Sequence, residues 1–155
     1  MIKKAYWKGL VLILTITAQQ SLAQTKDAGV RQAINNLFQG MKSSDTALIR
    51  AAFSSSPILQ TIVTNKEGKT VVENEPLDSF IHFISLPHTQ TYDERIRFDV
   101  VKIDADLAMV WAPYSFYLGA RFSHCGVDSF QLVKENGNWK IQYLVDTRRR
   151  QGCAP

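Results

Sequence analysis

The dipeptide Asn136-Gly137 is the strongest local instruction in this chain, because it separates two runs, "SFQLVKE" and "NWKIQYLVD", in which apolar and polar residues alternate. An Asn-Gly pair between alternating runs favours a two-residue type I′ turn, whose central residues both need positive φ. That turn sets a register: Lys134 opposite Trp139, Leu132 opposite Ile141, Phe130 opposite Tyr143, Asp128 opposite Val145 and His124 opposite Arg149. Strand side chains alternate between faces. One face of the hairpin therefore carries Phe122, His124, Asp128, Phe130, Leu132, Ile141, Tyr143 and Val145, and the other carries Ser123, Cys125, Val127, Ser129, Gln131, Lys140, Gln142 and Asp146. The first face, aromatic and branched, is expected to meet a layer of helices. Gly119-Ala120 suits a type II′ turn before it, which would place Tyr117 opposite Phe122, Ser115 opposite His124 and Trp111 opposite Asp128. A slip of one residue there would exchange Trp111 and Tyr117 for Tyr114 and Phe116.

The preceding chain reads as helices and short strands. In "KDAGVRQAINNLFQGMK" the apolar residues Val30, Ala33, Ile34, Leu37, Phe38 and Met41 recur at helical spacing. "SSDTALIRAAF" predicts a second, short helix capped by Ser43 or Ser44, and "SSSP" a loop. "ILQTIVTN" and "KTVVEN" flank the turn Lys66-Glu67-Gly68 as a hairpin. In "NEPLDSFIHFISL" Asn74 is the expected cap, Pro76 lies in the first turn, and Leu77, Phe80, Ile81 and Ile84 form the apolar stripe. After Pro87 come strands alone: "RIRFDVVKI", "LAMVWAPYSFYL", "RFSHCGVDSFQLVK" and "NWKIQYLVD". Helices followed by a long meander predict an α+β domain with helices on one face of a curved sheet.

The first residues predict export. "MIKKAYWKG" has three lysines and no acid, "LVLILTITA" is apolar, and Ser21 and Ala23 stand at small-x-small spacing. This is the layout of a signal peptide over residues 1–23, leaving a single domain of 24–155 that is periplasmic or secreted. An apolar run of nine residues is too short for a membrane span, which takes about 20. The whole chain has 18 Lys and Arg against 14 Asp and Glu; three of the basic residues and none of the acidic ones leave with residues 1–23, so 15 face 14. The basic balance is thus no sign of a nucleic-acid partner, which would need a clustered basic face. Two cysteines in an exported chain are most simply a disulfide, Cys125–Cys153.

His124 and Asp128, sent inward among aromatic walls, are the candidate acid–base or ligand-contacting pair, since a pocket tunes such groups toward neutral pKa values. Four residues along a strand is roughly 13 Å, too far for them to bond each other unless Gly126 makes a bulge. In the plainer structural reading His124 bonds Ser115, and Asp128 bonds Trp111 Nε1–H or the Tyr143 hydroxyl. Trp111, Tyr117, Phe130 and Tyr143 would line the pocket, with Arg149 on its side if the last strand runs that far. His82 and His88 are expected in solvent, and three scattered histidines give no metal-ligand spacing. There is no Gly-rich phosphate loop and no G-x-S-x-G elbow. No cofactor is implied.

The stretches "FQGMKSSDTALIRAAF", "LAMVWAPYSFYLGARFSHCGVDSFQLVK" and "GNWKIQYLVDTRRRQGC" resemble the NTF2-like superfamily, which includes SnoaL-like and ketosteroid-isomerase-like proteins, and within it small exported bacterial members. The resemblance covers nearly all of residues 27–153. It implies a cone-shaped fold, with three N-terminal helices packed on a strongly curved antiparallel sheet around a deep apolar pocket, and homodimers formed through the sheet. The superfamily includes isomerases, dehydratases and cyclases as well as non-catalytic association modules, so fold alone does not fix function. No catalytic motif matches residue by residue, and none is carried over. The expectation is a domain that binds a small apolar or aromatic molecule. The alternatives are an isomerase, dehydratase or cyclase with His124 or Asp128 as lone general base and Tyr or Arg149 polarising the substrate, and a pure dimerisation module.

Overall fold

A computed structural model describes residues 27–153. The predicted signal peptide lies outside the described residues. Among those described, no helix is long and apolar enough to cross a membrane.

Helix α1 (Ala28–Ser43) buries the six apolar residues that its sequence spacing picks out, and Lys42 lies in its last turn. Ser44 ends it in the left-handed conformation, φ 56°, so this serine cannot cap the next helix; Asp45 caps α2 (Thr46–Ala52) instead, accepting from Leu48 N–H at 2.9 Å. Strand β1 (Phe53–Thr64) absorbs the serine run expected as a loop, and pairs antiparallel with β2 (Thr70–Asn74). Helix α3 (Leu77–Ser85) starts at Pro76 with no side-chain capping bond; Asn74, the expected cap, ends β2 opposite Gln60. Strands β3 (Tyr92–Ile96) and β4 (Val100–Asp104) both pair with β5 (Leu107–Leu118), followed by β6 (Arg121–Glu135) and β7 (Asn138–Arg149). The run expected as one strand is thus broken in the middle, at Arg97–Asp99, where two backbone N–H groups still reach Pro113 and Trp111 carbonyls.

The seven strands form one sheet in the order β2-β1-β7-β6-β5-β3, with β4 on the other half of β5. The sheet is mixed, not antiparallel as expected, because β1 runs parallel to β7 with Leu59 opposite Leu144. Hairpin turns dictate direction only between neighbours in sequence, and no turn joins these two strands. The helices cover one face. The core they share with the sheet holds Val30, Ile34, Leu37, Ile49, Ile84, Val110, Phe130, Leu132 and Ile141, all essentially inaccessible. Phe38 meets Phe130 edge-on at 6.2 Å between ring centroids. Two leading helices, a third after the first hairpin, and a curved mixed sheet make an α+β fold.

Candidate functional site

Both predicted turns form: Asn136 and Gly137 take φ 50° and 81°, and Gly119 takes φ 59°. The registers nevertheless change along the strands. Lys134–Trp139 and Leu132–Ile141 pair as the turn demands, but an extra residue on β7, Gln142, then shifts the ladder, so Phe130 meets Leu144 and Asp128 meets Asp146. A one-residue bulge exchanges the faces beyond it. Leu144, Asp146 and Arg148 therefore point inward, while Tyr143, Val145 and Arg149 do not. Gln142 fastens the bulge to β1, accepting from Ser54 Oγ at 2.8 Å and donating to the Ser56 carbonyl at 3.0 Å. A second bulge at Ser123 pairs Phe116 with His124 and Ala112 with Asp128, although Tyr117 still faces Phe122. It turns Tyr114 and Phe116 inward and leaves Trp111 45% exposed on the other face.

His124 and Asp128 stay on the inner face. Of the other residues expected around them, Phe130 is sealed in the core. Tyr117 lies outside against Phe122, Tyr143 donates to Gln60 Oε1 at 2.6 Å, and Arg149 is exposed at the end of β7, opposite Cys125. His124 has its Nδ1 3.0 Å from Ser123 Oγ, so Ser115 is not its partner, and neither Trp111 nor Tyr143 reaches Asp128. His82 is exposed, whereas His88 is half-buried and stacks on Tyr92 at 4.4 Å. Cys125 and Cys153 are joined as a disulfide, tying the chain end to β6.

The helical layer and the inner face enclose a cavity in two lobes. The larger, about 410 Å³, is walled by Phe83, Tyr92, Phe116 and His124, and the inner one, about 110 Å³, lies under Leu37, Phe38 and Phe53 and reaches Asp128. Met41, Glu75, Phe80, Glu94, Asp146 and Arg148 line both lobes. The aromatic wall is a row of rings: Phe83–Tyr92 at 5.5 Å and Tyr92–Phe116 at 6.2 Å are stacked, and His124 is tilted by 35° against Phe116 at 4.9 Å.

The polar end is built from five strands. Asp146 accepts from Arg148 Nε at 2.9 Å and from Thr61 Oγ1, and Tyr114 OH lies 3.2 Å from its Oδ2 and 3.0 Å from the Thr147 carbonyl. The Tyr114 ring passes directly over Gly126, where a Cβ would stand 1.7 Å from the Thr147 carbonyl oxygen, so only glycine lets β6, β7 and this tyrosine close together. Burial first, then the neighbouring acids, raise Tyr114 above its ordinary range, which keeps it a donor. Burial, and after it the Arg148 charge, lowers His124. Glu94 faces Asp128: burial pushes Glu94 up to about 7, and burial followed by repulsion from Glu94 and Asp146 raises Asp128 well above the carboxylate range. Among the described residues no group of three or more His, Cys, Asp or Glu is arranged to hold a metal ion.

Glu94, Asp146 and Arg148 escape a reading by turns alone, whereas Tyr114 and Phe116 are the pair that a one-residue slip brings inward. For Glu94 a signal exists: Tyr92, Glu94, Ile96 and Phe98 share one parity, so an acid sits within an apolar row.

A family model described as "Putative lumazine-binding" matches residues 25–143. The chain belongs to this NTF2-like family. Solved structures share the fold of this NTF2-like protein at low identity. An NTF2-like protein of unknown function from Shewanella baltica aligns with TM-score 0.61 and 15% identity, over 82% of this chain and 96% of its own. A protein of unknown function from Mycobacterium tuberculosis aligns at 0.67 and 11%, over 85% and 76%. A domain with a cystatin-like fold from Nostoc punctiforme aligns at 0.60 and 15%, over 81% and 78%. No curated protein matches the sequence.

Proposed function

We propose that this is an exported binding domain that holds a small, flat, mostly apolar molecule between the helices and the inner face of the sheet. The carrying observation is the row of rings Phe83, Tyr92, Phe116 and His124 along one wall of a lobe of about 410 Å³. That volume lies in the range of small-molecule sites, roughly 300–1,000 Å³, and counts against a cone filled by its own side chains. The family description supports the reading, lumazine being a flat bicyclic ring. The lysine-rich, apolar N-terminus and the Cys125–Cys153 disulfide support export. Pairing of two copies through the sheet belongs to the same proposal, supported by the exposed Trp111, Met109 and Val100 on the outer face.

The test is native mass spectrometry of protein isolated from its own host, with fluorescence titration of bicyclic heteroaromatics. A retained compound, or binding weakened about three- to tenfold by Phe83→Ala, is expected, since aromatic pairs contribute about 0.5–1.5 kcal/mol. Phe83 is 54% exposed, so the variant keeps its core. An empty protein that binds none of the panel sinks the proposal. One observation favours proton transfer as a second reading: Glu94, at about 7, is poised as a general base. Deuterium exchange into a bound ligand, abolished by Glu94→Gln, would carry that reading.

A further inference from the structure

Among the described residues, the cations around the aromatic lobe are committed and two of its acids are not. Three acids line that lobe, Glu75, Glu94 and Asp146, with Arg148 as the single base of fixed charge. Arg148 binds Asp146 at 2.9 Å, and one residue from Glu94 on β3, Asp93 takes both Lys42 of α1 and Arg95, at 3.0 and 2.9 Å. Among the described residues Glu75 and Glu94 make no ion pair. Glu75 stands exposed ahead of α3, while Glu94 is half-buried on β3, opposite Phe116 and two residues from Tyr92. The other groups packed around Glu94 bring it no positive charge. β5 contributes Tyr114, β6 His124 and Asp128, and α3 only Phe80, Phe83 and Ile84. Burial, and after it the Arg148 charge, holds His124 toward its neutral form. Asp128 stands behind Glu94 in the inner lobe, 3% exposed, with its Oδ2 buried and without any donor. The two acids share a proton, so the pair carries one negative charge once Glu94 ionises, which burial delays to about pH 7.

An aromatic wall beside an unpaired carboxylate is complementary to a flat cation. The face of an aromatic ring is negative and attracts a cation within about 6 Å of its centroid, and the Phe83–Tyr92–Phe116 stack forms one side of the lobe. A neutral ring would leave the Glu94 charge without a partner. An anion would face two unpaired acids and an arginine that Asp146 already occupies. We propose that the large lobe takes an organic cation, a flat nitrogen heterocycle with one positive charge, stacked on Tyr92 and Phe116 with that charge against the Glu94 carboxylate. The inference rests on the proposed cleft for a flat molecule and adds the sign of the ligand's charge. Because such a ligand pairs with ionised Glu94, its binding expels the proton that Glu94 holds, and its affinity rises with pH.

The test uses two flat probes whose own charge does not change with pH: N-methylquinolinium, a fixed cation, and N-methylquinolin-2-one, its neutral analogue. Both are titrated into the intact protein and into Glu94→Gln, the variant checked for folding by circular dichroism. The cation should bind the wild type roughly tenfold or more tightly at pH 8 than at pH 5, within what one facing charge supplies at a partly buried site. The neutral probe should change less than about twofold. Calorimetry at pH 7 in buffers of different ionisation enthalpy should show proton release with the cation and none with the neutral probe, a readout that needs no variant. Glu94→Gln should bind the cation at pH 8 no better than the wild type does at pH 5, and without pH dependence. A wild type that binds both probes with no pH dependence and no proton release overturns the charge assignment and leaves the cleft standing. Binding of neither overturns both readings. A pH dependence retained by Glu94→Gln overturns the role of Glu94. Tighter binding of quinoline-2-carboxylate than of either probe would show Arg148 selecting an anion, and also overturns the charge assignment.

Discussion

Asp128 and Asp146 stand directly opposite each other on neighbouring strands, both nearly inaccessible, and like charges in that position repel. Their partners separate them chemically: Asp146 takes donors from Thr61, Tyr114 and Arg148, while Asp128 is left to share a proton with Glu94. The consequence is a pH-dependent stability whose sign is fixed. An acid whose folded pKa is raised binds its proton more tightly when folded, so its contribution is complete below the unfolded value and is lost as pH rises through the folded one. For Glu94 that window runs from 4.5 to about 7. At about 1.4 kcal/mol per unit the loss is on the order of 3 kcal/mol. Urea unfolding at pH 5 and pH 8 should show it, and Glu94→Gln, neutral throughout at that position, should lose less than half as much. Equal stability of the wild type at both values would show that the acids do not share a proton. The inward aim of Asp128 was legible in the sequence, since it keeps parity with Phe130 and Leu132 across an unbroken part of β6. Its partner was not legible, because no local pattern ties Glu94 on β3 to a strand two places away in the sheet.

Elements were legible wherever a local rule governs them. The stripe of α1, the Asn-Gly hairpin and the pairing of Cys125 with Cys153 follow from spacing, turn chemistry and cysteine count. The parallel contact of β1 with β7, and the bulges at Gln142 and Ser123, depend on partners far away in sequence, as the bonds from Gln142 to Ser54 and Ser56 show. Those bulges decide the site: they exchange Tyr143, Val145 and Arg149 for Leu144, Asp146 and Arg148, and Trp111 for Tyr114. The disulfide acts on the same elements. It fixes the segment after β7 to β6 immediately beside His124 and Gly126, with 28 residues of separation. Closing a loop of that size limits the unfolded chain by roughly 3–4 kcal/mol in the chain-entropy model. A Cys125→Ala/Cys153→Ala double variant should lose about that much in denaturant unfolding, while keeping the β6–β7 hairpin that the Asn-Gly turn specifies. A double variant as stable as the parent would show the bridge to be dispensable.

At the scale of the molecule, the two faces of the sheet have different tasks. The inner face carries the core and the cavity. The outer face, which no helix among the described residues covers, exposes Val100, Leu107, Met109, Trp111 and Phe122, all between 38% and 52% accessible, with Val100 directly opposite Trp111 across β4 and β5. Scattered apolar residues on a surface need no explanation, but a contiguous patch bearing a tryptophan marks an interaction surface. A twofold pairing would set Trp111 near the centre of the joint, where aromatic anchors contribute most. Because Trp111 points away from the cavity, the two properties should separate in one variant. Light scattering after gel filtration should give twice the chain mass for the wild type and a single chain mass for Trp111→Glu, with probe binding in the cleft unchanged. A monomeric wild type at about 100 µM would remove the pairing, whereas a monomeric variant that also lost its ligand would show that the cleft is completed by the second copy.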